Sequence, residues 1–416
     1  MSKLIINGGR ALTGSVKVQG SKNAVLPIFA ASILCKGRVT IHNSPRISDC
    51  DNMLNILKSL GCKTYRYDNT VVIENTNMKN GEISSTLARE LRSSIFLLGP
   101  MLARFKSAKI PYPGGCEIGL RPIDLHLKGL RQLNVDIHEE SGFIYCDACD
   151  MKGSDIHLDL ASVGATENLM MASVVAKGKT IIRNAAREPE IVDLQNFLNL
   201  CGAKIDGAGT SVITIEGGKC LKGIEYTPMN DRIVLGTYML ATCMCGGEVE
   251  FRGGDLTNLH ALVSKFSKYA CKVIVNSDNI YIKAKGRMSA VDVIETSPFP
   301  GFPTDLQAQM VAMLSMASGA SVMVENMFES RYKYVPELVK MGAKIVVKDR
   351  TAFIKGVKSL YGAEVFAQDL RGGAALVIAG LAARGRTIVS DVSHIDRGYE
   401  DIEKVLRSLG ADIVRK

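Results

Sequence analysis

The chain has 416 residues, 46% hydrophobic and 22% charged, with 39 Gly and 12 Pro. That composition excludes a disordered chain, a collagen or a coiled coil, and the length suits two or three domains or one large repetitive one. The 51 Lys and Arg against 42 Asp and Glu leave +9, a mild excess without a basic block, which fits an anionic small substrate and not a nucleic acid.

Residues 1–9 carry no apolar core of a secretion signal, and no run approaches the roughly 18 apolar residues of a membrane span. A soluble cytoplasmic protein with no membrane contact is expected. Leu4-Ile5-Ile6-Asn7 reads as a strand. Residues 26–37 are apolar on nearly every side, which predicts a buried helix. The β-branched strand Arg38-Val39-Thr40-Ile41 follows, then an amphipathic helix over residues 53–60 and a hairpin from Gly61. The same succession recurs. Apolar helices are predicted at 94–105, 168–178, 234–247, 307–319 and 374–385, with hairpins from Asn134, Gly202, Ala270 and Gly342. A sixth hairpin begins at Gly410 and is cut off by the C-terminus. These are six βαβαββ units of about 70 residues, each with one buried and one surface helix.

The last unit lacks its closing strand, and Leu4-Ile5-Ile6-Asn7-Gly8-Gly9 matches Ile213-Thr214-Ile215-Glu216-Gly217-Gly218. Residues 1 to about 20 are therefore expected to complete that unit. Three units close one domain, and six make two. The domains are expected at 22–229 and at 1–21 plus 230–416, with residues 222–229 as the crossing strand.

Polar residues collect at the first turn of each apolar helix. Thr304, Asp231 and Asp369 read as N-cap or first-turn residues. Lys22, Arg92, Arg232 and Arg371 stand at the positive end of a helix dipole, where a cation is unfavourable unless an anion joins it. The segment Pro111-Tyr112-Pro113-Gly114-Gly115-Cys116-Glu117-Ile118-Gly119-Leu120-Arg121-Pro122 reads as a loop. Cys116 is polar-flanked there, with Arg121 nearby to favour a thiolate. Cys35, Cys62, Cys201, Cys243 and Cys245 read as core thiols.

Eleven Cys without a secretion signal predict reduced thiols. Neither Cys146-Asp147-Ala148-Cys149 nor Cys243-Met244-Cys245 completes a zinc site, so no metal is expected. Without Trp there are few stacking platforms for single-stranded nucleic acid. The chain carries no Gly-x4-Gly-Lys-Ser/Thr loop, no Gly-x-Gly-x-x-Gly after a strand and no Ser-His-Asp arrangement, so no cofactor is expected. His42, His138, His157 and His260 read as structural or surface residues, while His126 and His394 lie near site segments.

Gly20-Ser21-Lys22-Asn23-Ala24, Pro113-Gly114-Gly115-Cys116, Gly119-x-Arg121-Pro122, Ser162-Val163-Gly164-Ala165-Thr166, Ala185-Ala186-Arg187-Glu188-Pro189-Glu190-Ile191, Pro300-Gly301-Phe302-Pro303-Thr304-Asp305, Asp369-Leu370-Arg371 and Asp396-Arg397-Gly398-Tyr399 stand in this order through the chain. Together they resemble the UDP-N-acetylglucosamine 1-carboxyvinyltransferases. The resemblance implies a two-domain inside-out α/β barrel, the enolpyruvyl transferase fold. It also implies transfer of enolpyruvyl from phosphoenolpyruvate to the 3-hydroxyl of UDP-N-acetylglucosamine, with release of phosphate.

By that resemblance Cys116 is the acid and the target of covalent inhibition by fosfomycin, and Asp305 is the base. Lys22, Arg121 and Arg397 meet phosphate and the ketal, while Arg331 and Arg371 lie toward the carboxylate, with Asn23 beside them. Asn23, Arg92, Arg121, Pro122, Ile123, Asp124, Leu125, Ser162, Val163, Gly164, Asp305 and Met327 would line the UDP-sugar. The expected partners are these two small molecules, and the expected state is a monomer. Leu160 stands where many relatives carry Lys. Two other readings compete: the sister enolpyruvylshikimate-phosphate synthases, whose loop lacks Pro-Gly-Gly-Cys, and a non-enzymatic repeat scaffold that binds anions.

Overall fold

The structure is a computed structural model and describes residues 2–112, 123–266, 270–276 and 279–416. The chain divides into two compact units. One runs from Gly20 to Met229; the other joins the residues up to Gln19 with Asn230–Lys416. Each has its own hydrophobic core.

The repeat is clearest in the third copy. Asp155–His157 pairs parallel with Lys179–Arg183, which pairs antiparallel with Val212–Glu216, which pairs with Lys204–Asp206. Alternation sets the register, because a strand's side chains point to opposite faces. Ile156, Ile182 and Ile213 fall in one cross-strand row and are fully buried. The fifth copy repeats the order with Val293–Glu295, Ala320–Val324, Thr351–Lys355 and Lys344–Lys348.

Strands from the ends of each unit complete its sheets. Glu225–Tyr226 runs parallel to Arg38–Ile41 and so supplies the first copy's outer strand. Leu4–Asn7 lies between Arg386–Ser390 and Asp412–Arg415, closing the sixth copy. Leu12–Lys17 departs from the expectation for residues 1 to about 20. It pairs with Gly247–Arg252 and opens the fourth copy. Gly9, at φ +88°, turns the chain between these sheets, and Leu12 and Val16 then bury in the same core.

The buried helices are Lys22–Ala31, Leu98–Phe105 and Val163–Ser173 in one unit, and Arg232–Cys245, Gln307–Leu314 and Leu370–Ala382 in the other. Leu376, Val377 and Ile378 point in successive directions about 100° apart around their helix, and all three are 0% exposed. This explains the all-round apolar composition: helices fill the middle and sheets face outward. The surface helix Ser48–Ser59 shows the other pattern, burying Met53, Leu54, Ile56 and Leu57 while Asp51, Asn55 and Lys58 stay exposed.

Five of the hairpins begin where a surface helix must stop. Gly61, Gly202, Gly342 and Gly410 take φ between +89° and +111° there, a conformation without penalty only for glycine. Asn134, at φ +65°, does the same in the second copy.

Candidate active site

In the unit containing Asn230–Lys416, three buried helices present polar first turns. Asp231 caps Arg232–Cys245, its side chain accepting from the Ile233 and Val234 N–H groups at 2.8 and 2.9 Å. Asp369 caps Leu370–Ala382, with Oδ1 accepting from the Arg371 and Gly372 N–H groups at 2.9 Å each. Its Oδ2 is buried without a hydrogen-bond partner among the described residues.

Thr304 takes the first-turn place and does not cap. The third helix starts only at Gln307, after a short 3₁₀ turn, Thr304–Leu306. The Thr304 hydroxyl instead donates to Glu325 Oε2 at 3.0 Å. Glu325 is fully buried and also accepts from the Thr296 hydroxyl and the Met327 and Phe328 N–H groups on Oε1. Four donors on one carboxylate hold the turn before Asp305 beside the segment that presents Met327, itself 38% exposed.

Asp305 joins two predicted cations. Arg331 Nη2 donates to its Oδ1 at 2.9 Å, and Arg371 Nη2 donates to its Oδ2 at 2.9 Å. The arginine side chains are only 3% and 4% exposed, whereas Asp305 is 26% exposed. Burial works against the charge on Arg371, but Asp305, Tyr399 and Asp231 outweigh it and hold the guanidinium protonated. Arg331 Nη2 also donates to the Thr304 carbonyl at 3.0 Å. The result is two dry guanidiniums directed at one carboxylate, the donor set that recognises carboxylates and phosphates. Arg397 ends the Val392–Arg397 turn and is half-buried. Its neighbour Asp396 is taken by Arg415, at 2.7 and 2.9 Å.

In the Gly20–Met229 unit, Lys22 opens its helix. Ser21 caps it, accepting from the Ala24 N–H at 3.3 Å. The Lys22 ammonium pairs with Asp49 at 2.5 Å, and both are nearly inaccessible. Asp49 is thus the anion that offsets the helix dipole around Lys22. Asn23 is half-buried beside it.

Ser162 caps Val163–Ser173, accepting from the Ala165 N–H at 3.3 Å. Gly164 lies against His126 and Phe96, which a Cβ would meet at 3.1–3.2 Å. His126 Nδ1 is 2.8 Å from Asn168 Nδ2, and the ring is only 6% exposed. That contact brings Ser162, Val163 and Gly164 beside the helix start bearing Ile123, Asp124 and Leu125. Leu160 is 71% exposed.

Cys116, Arg121 and Pro122 lie outside the described residues, as does the Arg92 side chain. Cys35, Cys62, Cys201 and Cys243 are buried free thiols, and Cys245 is partly exposed. Burial pushes the Cys62 thiol up to about 11 and the Cys245 thiol up to about 12, which fits inert packing thiols.

Sequence reasoning missed Glu325, Asp49 and Glu167. The signal for Glu325 was an acid placed directly after an apolar strand. Glu167 is 1% exposed, and both its carboxyl oxygens lack hydrogen-bond partners among the described residues. Burial, then Glu190 and Glu188, hold it protonated far above the carboxylate range.

The chain and its fold have known relatives. A family profile described as EPSP synthase (3-phosphoshikimate 1-carboxyvinyltransferase) matches residues 6–406. The enolpyruvyl transferase NikO from Streptomyces tendae superposes with a TM-score of 0.88 at 23% identity, covering 100% of this chain and 99% of its own. EPSP synthase from Acinetobacter baumannii superposes at 0.78 with 17% identity, covering 100% of both chains. The architecture is therefore that of the enolpyruvyl transferases.

Sequence identity narrows the class. The chain is 53% identical to UDP-N-acetylglucosamine 1-carboxyvinyltransferase 2 of Caldanaerobacter subterraneus subsp. tengcongensis over 100% of both chains. It is 49% identical to UDP-N-acetylglucosamine 1-carboxyvinyltransferase of Geotalea uraniireducens over 100% of this chain and 99% of the relative. The chain belongs to the EPSP synthase family and, within it, to the UDP-N-acetylglucosamine 1-carboxyvinyltransferases.

Proposed function

We propose that this chain transfers the enolpyruvyl group of phosphoenolpyruvate to the 3-hydroxyl of UDP-N-acetylglucosamine and releases phosphate, the first committed step of peptidoglycan synthesis. The reaction is an addition followed by an elimination. C3 of the donor takes a proton, which makes C2 electrophilic. The sugar oxygen adds to C2 as its own proton leaves. The tetrahedral ketal then loses phosphate and a C3 proton. Such a path requires a placed acid, a placed base and fixed positive charge around the ketal.

Cys116 is the acid at C3, and fosfomycin alkylates its thiol. Asp305 takes the proton of the sugar hydroxyl. Arg331 and Arg371 hold the donor carboxylate, and Lys22, Arg121 and Arg397 hold the phosphate and the ketal, with Asn23 beside them. Arg92, Pro122, Ile123, Asp124, Leu125, Ser162, Val163, Gly164 and Met327 contact the UDP-sugar. Two buried guanidiniums converging on Asp305 carry this reading. They put a carboxylate receptor and a carboxylate base in direct contact. The enzyme acts in the cytoplasm as a monomer and supports cell shape and division. No described helix is long and apolar enough to cross a membrane.

The deciding measurement is phosphate release from phosphoenolpyruvate with UDP-N-acetylglucosamine or shikimate 3-phosphate as acceptor, with and without fosfomycin. Release only with the UDP-sugar, abolished by fosfomycin, is the expected result. Release with shikimate 3-phosphate would move the chain to the sister activity, and release with neither would leave an anion-binding scaffold.

A further inference from the structure

Arg371 is held at two places. Nη2 donates to Asp305, and Nη1 lies 3.4 Å from the hydroxyl of Tyr399, whose ring centroid is 5.7 Å from the guanidinium carbon. Tyr399 is 1% exposed, so its hydroxyl must satisfy itself within the protein. The partners around it fix which atom donates.

The Thr237 hydroxyl has one proton, for which the Ile233 carbonyl lies 2.9 Å away. Either hydroxyl could donate across the 2.8 Å between Thr237 and Tyr399, but Gln309 Nε2 and Arg371 Nη1 offer Tyr399 only donors, so the arrangement that uses every proton has Tyr399 donating to Thr237 Oγ1, which also accepts from Gln309 Nε2 at 3.0 Å. The Tyr399 proton is spent on Thr237. Its oxygen is then left to accept from Gln309 Nε2, at 3.1 Å, and from Arg371.

Thr237, Gln309 and Arg371 come from the three buried helices of this unit, one from each. The Tyr399 hydroxyl oxygen lies within 3.4 Å of all three. Its own backbone is pinned from both sides by Gln19, whose side chain donates to the Gly398 carbonyl at 3.2 Å and accepts from the Glu400 N–H at 2.9 Å.

We infer that Tyr399 is a positioning residue for the donor substrate: its hydroxyl, fixed as an acceptor by Thr237, holds one edge of the Arg371 guanidinium so that the other edge faces the carboxylate site. The inference rests on the reading that Arg371 receives the donor carboxylate. A phenyl ring at position 399 preserves the packing but leaves Nη1 of Arg371 without its buried acceptor and free to turn. Donor binding then weakens while the UDP-sugar is unaffected.

Steady-state kinetics on the full-length enzyme, with phosphoenolpyruvate and UDP-N-acetylglucosamine varied separately, test this in three variants. For Tyr399→Phe, the expected result is a rise of about tenfold in the donor KM, with kcat, the acceptor KM and the thermal midpoint close to the parent values. A parallel loss in kcat, both KM values and the thermal midpoint would show a merely structural tyrosine and overturn the inference. Arg371→Gln separates the two claims. If it leaves the donor KM unchanged, the carboxylate reading fails and this inference with it. If Arg371→Gln raises the donor KM but Tyr399→Phe does not, only the inference fails. Should Tyr399→Phe not fold, Thr237→Val decides. It removes the acceptor that orients the phenol, so a smaller rise confined to the donor KM supports the assignment, and no rise rejects it.

Discussion

Asp305 and Arg371 stand 66 positions apart in the chain, yet Arg371 Nη2 donates to Asp305 Oδ2 at 2.9 Å. Arg331 takes the other oxygen at the same distance. The carboxylate assigned as base thus lies in the fork assigned to the donor's carboxylate.

Replacing Asp305 by Asn keeps the shape and removes the charge between the two guanidiniums. Turnover is expected to fall at least 100-fold through loss of the base. Stability should fall by about 2 kcal/mol, because both buried cations lose their anion while Asp305 itself is partly hydrated. Pre-steady-state phosphate release and urea unfolding measure the two effects. Retention of more than a tenth of the parent turnover would exclude Asp305 as base.

Cys116 is tested by a pair of variants. Cys116→Ser removes the acid of suitable pKa and should nearly abolish phosphate release. Cys116→Asp restores an acid but no soft nucleophile, so it should turn over and resist fosfomycin. A fosfomycin-sensitive Cys116→Asp enzyme would place the alkylated residue elsewhere.

Glu325 is itself no predicted substrate position, but it accepts from four donors, the Thr296 and Thr304 hydroxyls and the Met327 and Phe328 N–H groups. Glu325→Gln turns one acceptor into an amide donor facing the Thr304 hydroxyl. A loss of about 2 kcal/mol in urea unfolding is expected, since a buried charged acceptor is replaced by a mismatched group. The acceptor KM should also rise as the Met327 segment loosens. Unchanged stability would mean that these bonds contribute nothing net.

Glu167 sets a pH dependence of definite sign. The folded protein keeps its proton, whereas the unfolded chain releases it above the ordinary value of 4.5. Stability from this group is present below that value and declines as pH rises toward the raised folded pKa. Glu167→Gln cannot ionise, so its urea midpoint should gain on the parent's progressively as pH rises above 4.5. Parallel profiles for the two proteins would contradict a buried protonated Glu167.

Much of this architecture was legible before any coordinates. The helix over 374–385 is apolar on all faces because sheets surround it, and residues 53–60 are apolar on one face because water meets the other. These are local periodicities, and each repeat states them again. Leu4–Asn7 could be assigned to the sixth copy because it resembles the strand that copy lacks. Leu12–Lys17 could not be assigned to the fourth, because its parallel partner, Gly247–Arg252, lies more than 200 residues away and leaves no mark on its own pattern.

The site divides along the same line. Motif order, through its resemblance to the enolpyruvyl transferases, pointed to Lys22, Asp305, Arg331, Arg371 and Arg397. Their partners came only with the fold: Asp49 on Lys22, Asp305 between two arginines, Glu325 under Thr304, and Tyr399 behind Arg371. By itself the sequence determined the six repeats and the buried and surface helices, since these follow from short-range periodicity, while the residue types of the chemistry were implied by the resemblance its motifs carry. Tertiary structure decided which charges meet, because a hydrogen bond depends on a few tenths of an ångström between segments whose separation along the chain carries no record of that distance.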